Sequence, residues 1–361
     1  MNNNLNYFVC PSTILKETVD AAGMSQKELS ARTGISEKHI TSIMSGNTPI
    51  STDVALKLQP VLKVPASFWL KLEADYAEFK ENKKYNTELE TDKTILSTLN
   101  YSYFKNLLKL EDTDNVSEQI RILRNVFSVS NLSHLVDTVD SFAAKTASRS
   151  SELTHISAAW VLATELLARE KASQYEILKF KHENKQKLVQ EIKKTTLQGT
   201  ISDNILTSLF AKYGIIFVAT PYLRKSNIRA AVKKLNTGNY MIAINDRNKK
   251  EDLFWFSLAH ELAHIFCGHI SKNKTLLSLN DNSVKADIES EADEEASSYL
   301  IDKKDWDEFT KGDTHIYTPE NILRFSHHVG VCPGIVVGRL QHEKIIPFTH
   351  QNNLIRKVNI E

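Results

Sequence analysis

The chain has 361 residues, of which 41% are hydrophobic and 25% charged, with a formal net charge of +1. That length suits two or three domains, and the composition excludes collagen-like, low-complexity and wholly disordered chains. No apolar run approaches the ~20 residues that span a bilayer, and a near-neutral charge balance means that any nucleic-acid binding must come from a local surface. The stretch from Met1 to Thr13 lacks the basic and apolar regions of a secretory signal. Three cysteines, Cys10, Cys267 and Cys332, are odd in number and widely spaced. This argues against a disulfide framework or a cysteine zinc cage and sets the expectation of a reducing cytoplasm.

The first stretch, residues 1–85, carries short helical patterns. Ser25 followed by Glu28 predicts a capping box opening a helix over 26–32. Thr33-Gly34-Ile35 is a tight turn, Ser36 caps a second helix over 37–44, and Gly46 sits just past its end. Leu29, Ile35, Ile40 and Ile43 supply the apolar inner face. Two short helices joined by such a turn describe a helix-turn-helix, whose second helix can enter the DNA major groove.

The string Ser25-Gln26-x-x-Leu29-Ser30-x-x-x-Gly34-Ile35-Ser36-x-x-x-Ile40-x-x-Ile43-x-x-Gly46 resembles the Cro/C1-type (XRE) helix-turn-helix family. With Pro11-x-x-Ile14-Leu15-Lys16-Glu17 upstream, and Asp53-x-Ala55-Leu56-x-Leu58 and Phe68-Trp69-x-x-Leu72-Glu73-x-x-Tyr76 downstream, it is similar to HigA-type antitoxins, which repress their own operon and neutralise a toxin. The resemblance implies Gln26 near a phosphate; Glu37, Lys38 and Ser42 toward base edges, flanked by Ser36 and His39; and Asn47 and Thr48 by the backbone. Residues 1–63 hold six Lys/Arg and five Asp/Glu. Such weak local charge implies a dimer reading two half-sites about one helical turn apart. Phe68 and Trp69 are expected in the core.

Residues 86–200 read as a helical connector, with helical apolar spacing over 105–110, 116–127 and 157–172. Glu165, Arg169, Lys171, Glu176, Lys179 and Lys181 form mixed-sign faces expected to be solvated. The joints, 80–86 and 193–199, are polar. In residues 201–361, the runs 214–220, 228–232 and 240–244 read as strands, and Asn236-Thr-Gly-Asn239 predicts a hairpin between the last two.

His260-Glu261-Leu262-Ala263-His264 is the sharpest feature. On a helix, positions four apart share a face, so both imidazoles can hold one metal ion and Glu261 can reach water beside it. Composition alone predicts only about 0.03 chance HExxH matches in this chain. A catalytic zinc takes three protein ligands. The metzincin pattern fails, because position 267 is Cys and position 270 is Ile. Glu289, at the head of a helical run over 288–301, is the favoured third ligand, with Glu291 and Cys267 as the other candidates. His269 would face away from His260 if the helix ran on through Gly268.

Asp252-x-Phe254-Trp255-Phe256, His260-Glu-Leu-Ala-His264, Glu289-x-x-Ala292-Asp293 and Tyr299-Leu300 resemble the ImmA/IrrE family of zinc metallopeptidase domains over roughly residues 155–348. Val329 to Gln341 is similar to the helical element common in long regulators of this kind. The resemblance implies His260, His264 and Glu289 as ligands of Zn²⁺ and Glu261 as general base. An oxyanion partner would come from His315, Tyr317, His327 or His328.

The fold expected is therefore mainly α with an α+β carboxy-terminal part: a five-helix helix-turn-helix domain (1–85), a helical connector (86–200) and a zincin-like domain with a small sheet and the HExxH helix (201–361). The function expected is a cytoplasmic DNA-binding regulator with a zinc endopeptidase domain that cleaves a regulatory protein or itself. The alternative is a HigA-type antitoxin that binds a toxin, with a sensory or inactive metal domain.

Overall fold

The computed structural model describes residues 9–140, 154–199, 202–226, 228–247, 249–270, 275–279, 287–311 and 317–358. The chain divides into two compact units, Met1–Thr91 and Asp92–Glu361.

The first unit holds α1 (Pro11–Ala21), α2 (Gln26–Thr33), α3 (Glu37–Met44), α4 (Thr52–Leu62) and the start of α5 (Ala66–Thr98). Local chemistry sets each boundary. The Ser25 hydroxyl accepts the Glu28 N–H, and the Ser36 hydroxyl accepts the His39 N–H. Gly34 closes α2 at φ +70°, a left-handed conformation that glycine adopts without steric cost. Only half of the predicted capping box forms, because Glu28 turns outward to Arg32 at 2.7 Å. Leu15, Leu29, Ile40, Ile43, Leu58 and Trp69 close one core. Trp69 is fully buried as expected, whereas Phe68 is 45% exposed. The polar stretch 80–86, read from sequence as a joint, lies inside the unbroken helix α5.

The second unit contains α6 (Tyr101–Leu108), α7 (Val116–Phe127), α8 (His134–Asp140), α9 (His155–Gln174), α10 (Lys185–Thr196), α11 (Asp203–Ala211), a four-stranded sheet, and then α12 (Glu251–Phe266), α13 (Asp287–Leu300), α14 (Lys303–Thr310), α15 (Pro319–Val329) and α16 (Pro333–His342). The strands are β1 (Ile215–Thr220), β2 (Ile228–Lys234), β3 (Tyr240–Asn245) and β4 (Thr275–Leu279), in the order β1-β3-β2-β4. β2 and β3 pair antiparallel as the predicted hairpin, and β1 lies parallel to β3. Strand β4, which the sequence reading did not identify, pairs antiparallel with β2.

Both faces of the sheet are covered. Side chains alternate between faces along a strand. Ile215 and Phe217 of β1, with Ile242 and Ile244 of β3, join the core shared with α12 and α13. On the alternate face Thr220 accepts a 2.9 Å hydrogen bond from the Trp160 indole of α9. Helix α9 is buried from Ile156 to Thr164, and the connector stretch from Asp92 onward falls in the same compact unit as the sheet. Two of the charges expected to be solvated instead pair across elements. Glu165 accepts from Lys233 at 2.6 Å and Lys171 donates to Asp203 at 2.6 Å.

Candidate metal centre and DNA-facing helices

Helix α12 is apolar almost all round, with twelve of its sixteen residues buried, the pattern of a helix placed inside a domain rather than on its surface. Its last turns bring His260 and His264 onto one face, as the spacing predicted. Helix α13 packs beside it, with Ala292, Ala296 and Leu300 buried along its inner stripe.

The ligand atoms of His260, His264 and Glu289 lie within 4.8 Å of one another. His260 Nε2 and His264 Nε2 face each other at 3.0 Å. Glu289 approaches His260 Nε2 at 3.2 Å and His264 Nε2 at 3.6 Å. Two nitrogen ligands of a tetrahedral zinc would stand about 3.3 Å apart. Glu261 is 1% exposed on the same helix.

The outer side of each imidazole fixes what its inner side can do. His260 Nδ1 is 3.0 Å from Asp293 Oδ1. A carboxylate can only accept, so this nitrogen carries the proton. His264 Nδ1 is 2.9 Å from His269 Nδ1, and His269 Nε2 is 3.2 Å from Glu291 Oε2. The same logic runs inward from Glu291. His269 Nε2–H donates to the carboxylate, so His269 Nδ1 accepts from His264 Nδ1–H. Both chains of hydrogen bonds leave an Nε2 lone pair on each histidine aimed at one point beside a carboxylate. Partners of this kind orient metal-binding histidines and fix their tautomers.

The charges are those of a place that holds a cation, either a proton on His260 or a metal ion that takes its place. Burial pulls the His260 pKa down, but the hydrogen bonds to Asp293 and Glu289 outweigh it and raise the value to about 10. Burial pushes the Glu289 carboxyl up, and the His260 and His264 imidazoles more than reverse this, holding it well below the usual range. Positive charge is favoured between Glu289 and the imidazoles, and a divalent cation supplies it. The donor set of two imidazoles and one carboxylate fits zinc.

Glu291 and Cys267, the other candidate third ligands, sit elsewhere. They group with His269 within 4.8 Å, on the flank of the first cluster. His269 does not face away. Helix α12 ends at Phe266, Gly268 takes φ +77°, and the reversed chain lets His269 N–H reach the His264 carbonyl at 3.0 Å. The role of Asp293 was not read from sequence, and His269, which the sequence offers as a group behind the ligands, was set aside there as structural. The signals in the sequence are the place of Asp293 in the motif Glu289-x-x-Ala292-Asp293 and the glycine just before His269. Of the oxyanion candidates, Tyr317 is buried with its ring 5.5 Å from Phe309, and His327 and His328 are exposed on the last turn of α15. His315 lies outside the described residues. The Phe256 ring lies 6.4 Å from the His260 ring and equally far from His342. Phe256, Leu300, Ile335 and His342 help line a cavity of about 90 Å³ there.

In the first unit, Glu37, Lys38 and Thr41 are exposed along α3, and Gln26 is exposed at the start of α2. The Thr41 hydroxyl donates to the Gln26 side-chain oxygen at 3.0 Å, tying the two motif helices together at their outer side. Ser36 is engaged as the cap, and the hydroxyls of Ser42 and Thr48 pair at 2.6 Å. Asn47 is exposed and donates to Ser45, while His39 is half-buried.

Residues 15–69 match the family model described as helix-turn-helix, and residues 217–341 match that of the IrrE N-terminal-like domain. No match is found among curated proteins. Among solved structures the chain is similar to an addiction module antidote protein of a HigA family from Coxiella burnetii. Identity is 28%, over 23% of this chain and 92% of that one, with a TM-score of 0.21. No described helix is long and apolar enough to cross a membrane. The chain thus joins an XRE-type helix-turn-helix DNA-binding domain at its amino-terminal end to an ImmA/IrrE-family, IrrE N-terminal-like domain that carries the HExxH helix.

Proposed function

We propose that the chain is a cytoplasmic transcription regulator whose IrrE-like domain is a zinc-dependent endopeptidase, acting on a regulatory protein or on the chain itself. The observation that carries this reading is the convergence of two oriented Nε2 lone pairs and the Glu289 carboxylate beside a buried Glu261. A bound zinc ion would polarise the scissile carbonyl and make water nucleophilic at neutral pH. His260, His264 and Glu289 would hold that ion, while Asp293 and His269 keep the imidazoles turned toward its place. Glu261 takes the proton from the attacking water as oxygen bonds to the carbonyl carbon. It then delivers that proton to the amide nitrogen as the C–N bond breaks.

At the other end, Gln26 approaches a phosphate and Glu37, Lys38 and Ser42 face base edges, with Ser36 and His39 beside them. Asn47 and Thr48 lie along the backbone, and a dimer spans two half-sites. Alanine at Lys38 should weaken binding to the chain's own upstream DNA by about 1–3 kcal/mol in footprinting titrations. Glu261→Gln tests the chemistry. The variant should retain one zinc per chain, measured by elemental mass spectrometry, and lose peptide-bond cleavage. Zinc retained with cleavage unchanged overturns the assignment of Glu261. A variant that neutralises a neighbouring toxic gene product as well as wild type would move the reading to an antitoxin in which hydrolysis plays no part.

A further inference from the structure

Beside the metal centre lies a second cluster with a different donor set. The sulfur of Cys267, a ring nitrogen of His269 and a carboxylate oxygen of Glu291 lie within 4.8 Å of one another. The sequence assembles them in two steps. The left-handed turn at Gly268 brings Cys267 and His269, only two residues apart, to the same flank of α12. On α13, Glu289 and Glu291 are also two residues apart, a spacing that points side chains to different faces. One carboxylate therefore serves each cluster.

A thiolate, an imidazole and a carboxylate form a borderline-soft donor set suited to zinc or cobalt. The His269 side chain is 7% exposed, and that of Glu291 is 60% exposed, so an ion can enter from solvent. Burial and the nearby carboxylates of Glu295 and Glu291 raise the Cys267 pKa, against Lys185, which lowers it. Lys185 is itself paired with Glu295 at 2.8 Å.

We propose that Cys267, His269 and Glu291 form a second site for a divalent cation such as Zn²⁺, and that filling it weakens retention of an ion at the first site. Binding releases the thiol proton of Cys267 to solvent and requires the Nε2 lone pair of His269. The coupling follows from the 2.9 Å contact between His264 Nδ1 and His269 Nδ1, which has room for one proton. With His264 Nε2 on an ion, that proton resides on His264. With His269 Nε2 on an ion, it must reside on His269. Filling both sites with neutral rings sets two N–H groups against each other, so each ion disfavours the other. The coupling rests on the first-site reading; the second site does not.

Titrating the metal-stripped full-length chain with Co²⁺ tests both parts, because the two sites give different spectra. Histidine and carboxylate ligands give visible d–d bands, expected with the first equivalent. Thiolate ligation adds a near-ultraviolet charge-transfer band, expected with the second. Cys267→Ser should abolish that band and the second equivalent while keeping the first. Glu291→Gln, which alters an exposed carboxylate, should weaken the second step about tenfold. By reciprocity, His260→Ala should bring in the thiolate band at about tenfold lower cobalt than in wild type. No thiolate band in wild type at any cobalt level, or an unchanged band in Cys267→Ser, overturns the second site. Equal midpoints in wild type and His260→Ala overturn the coupling. Failure of the first-site reading is distinct, since it removes the visible bands of the first equivalent and leaves the thiolate band.

Discussion

Replacing Asp293 with Ala removes no ligand but takes away the carboxylate that orients one. Asp293 Oδ1 accepts the Nδ1 proton of His260 at 3.0 Å, and Asp293 lies one turn beyond Glu289 on α13. Without it, His260 Nδ1 loses a charged acceptor, the ring can take the other tautomer, and the Nε2 lone pair is no longer fixed inward. Orienting partners of metal-bound histidines are worth about 10–100-fold in affinity, or about 1.4–2.7 kcal/mol. The Asp293 side chain is 28% exposed, so water can replace part of the lost bond and the effect should fall at the lower end, near tenfold. Zinc affinity is read by competition with a chromophoric chelator on the full-length chain, with far-ultraviolet circular dichroism as the control for folding. His260→Ala in the same assay should lose the ion from this site, leaving only what Cys267, His269 and Glu291 hold. An Asp293→Ala affinity within twofold of wild type, alongside that loss, would refute the argument that this carboxylate orients the ring.

Other parts of the fold give equally direct expectations. Arg356 donates to the Glu251 carboxylate at 2.8 Å, and Glu251 is 2% exposed at the first residue of α12. Arg356→Ala leaves that buried charge short of its partner and should cost about 3 kcal/mol in urea unfolding; an unchanged midpoint contradicts this. Gly214 opens β1 at φ +75°, where a Cβ would meet the backbone of Phe180 and Leu178. Gly214→Ala combines left-handed strain with overpacking and should cost about 2–5 kcal/mol, visible as a loss of soluble protein or a lowered Tm. Helix α16 approaches so closely that a Cβ on Gly338 would stand 2.6 Å from the Asp252 side chain, and the resulting burial raises the Asp252 pKa. A carboxyl whose folded pKa lies above its unfolded value binds more protons when folded, so it lowers stability as pH rises through that window. Asp252→Asn should therefore raise Tm at neutral pH and lose its advantage in acid. An equal gain at both pH values would rule out the charge as the cause.

What the sequence disclosed depended on whether the chemistry was local. The spacing of His260 and His264 is a property of one helix, and α12 presents them as four-residue spacing requires. The boundaries of α3 follow from Ser36 and the turn beyond Met44 and were readable for the same reason. The hairpin of β2 and β3 rests on contiguous turn residues. His269 was misread because the prediction hinged on whether the helix crossed Gly268, and a single φ of +77° reversed the side chain's direction. The role of Asp293 could not be read from α13 alone, since its partner lies 33 positions earlier. The mixed charges of α9 looked solvent-facing because their partners, Lys233 and Asp203, come from elements far along the chain. Strand β4 is five residues long and pairs with β2 more than forty residues upstream, and so short a run carries little periodicity of its own.

The two outer hydrogen-bond chains of the metal centre use the same helix, and this sets a sharper test than either alone. Asp293 supports His260 directly, and Glu291 supports His264 through His269. If each partner acts only by turning its own imidazole, the free energies lost on removing Asp293 and His269 add to within about 0.5 kcal/mol. The double variant would then bind zinc about 3–4 kcal/mol more weakly, or roughly 10²–10³-fold. If instead they act by clamping α13 against α12, the first removal loosens Glu289 as well, and the second costs much less. Zinc affinities of wild type, Asp293→Ala, His269→Ala and the double variant separate these cases. Both imidazoles are anchored by different atoms of separate residues, which argues for additivity. A coupling energy above about 1 kcal/mol would show that the helix pair, rather than the individual rings, is what the outer carboxylates hold in place.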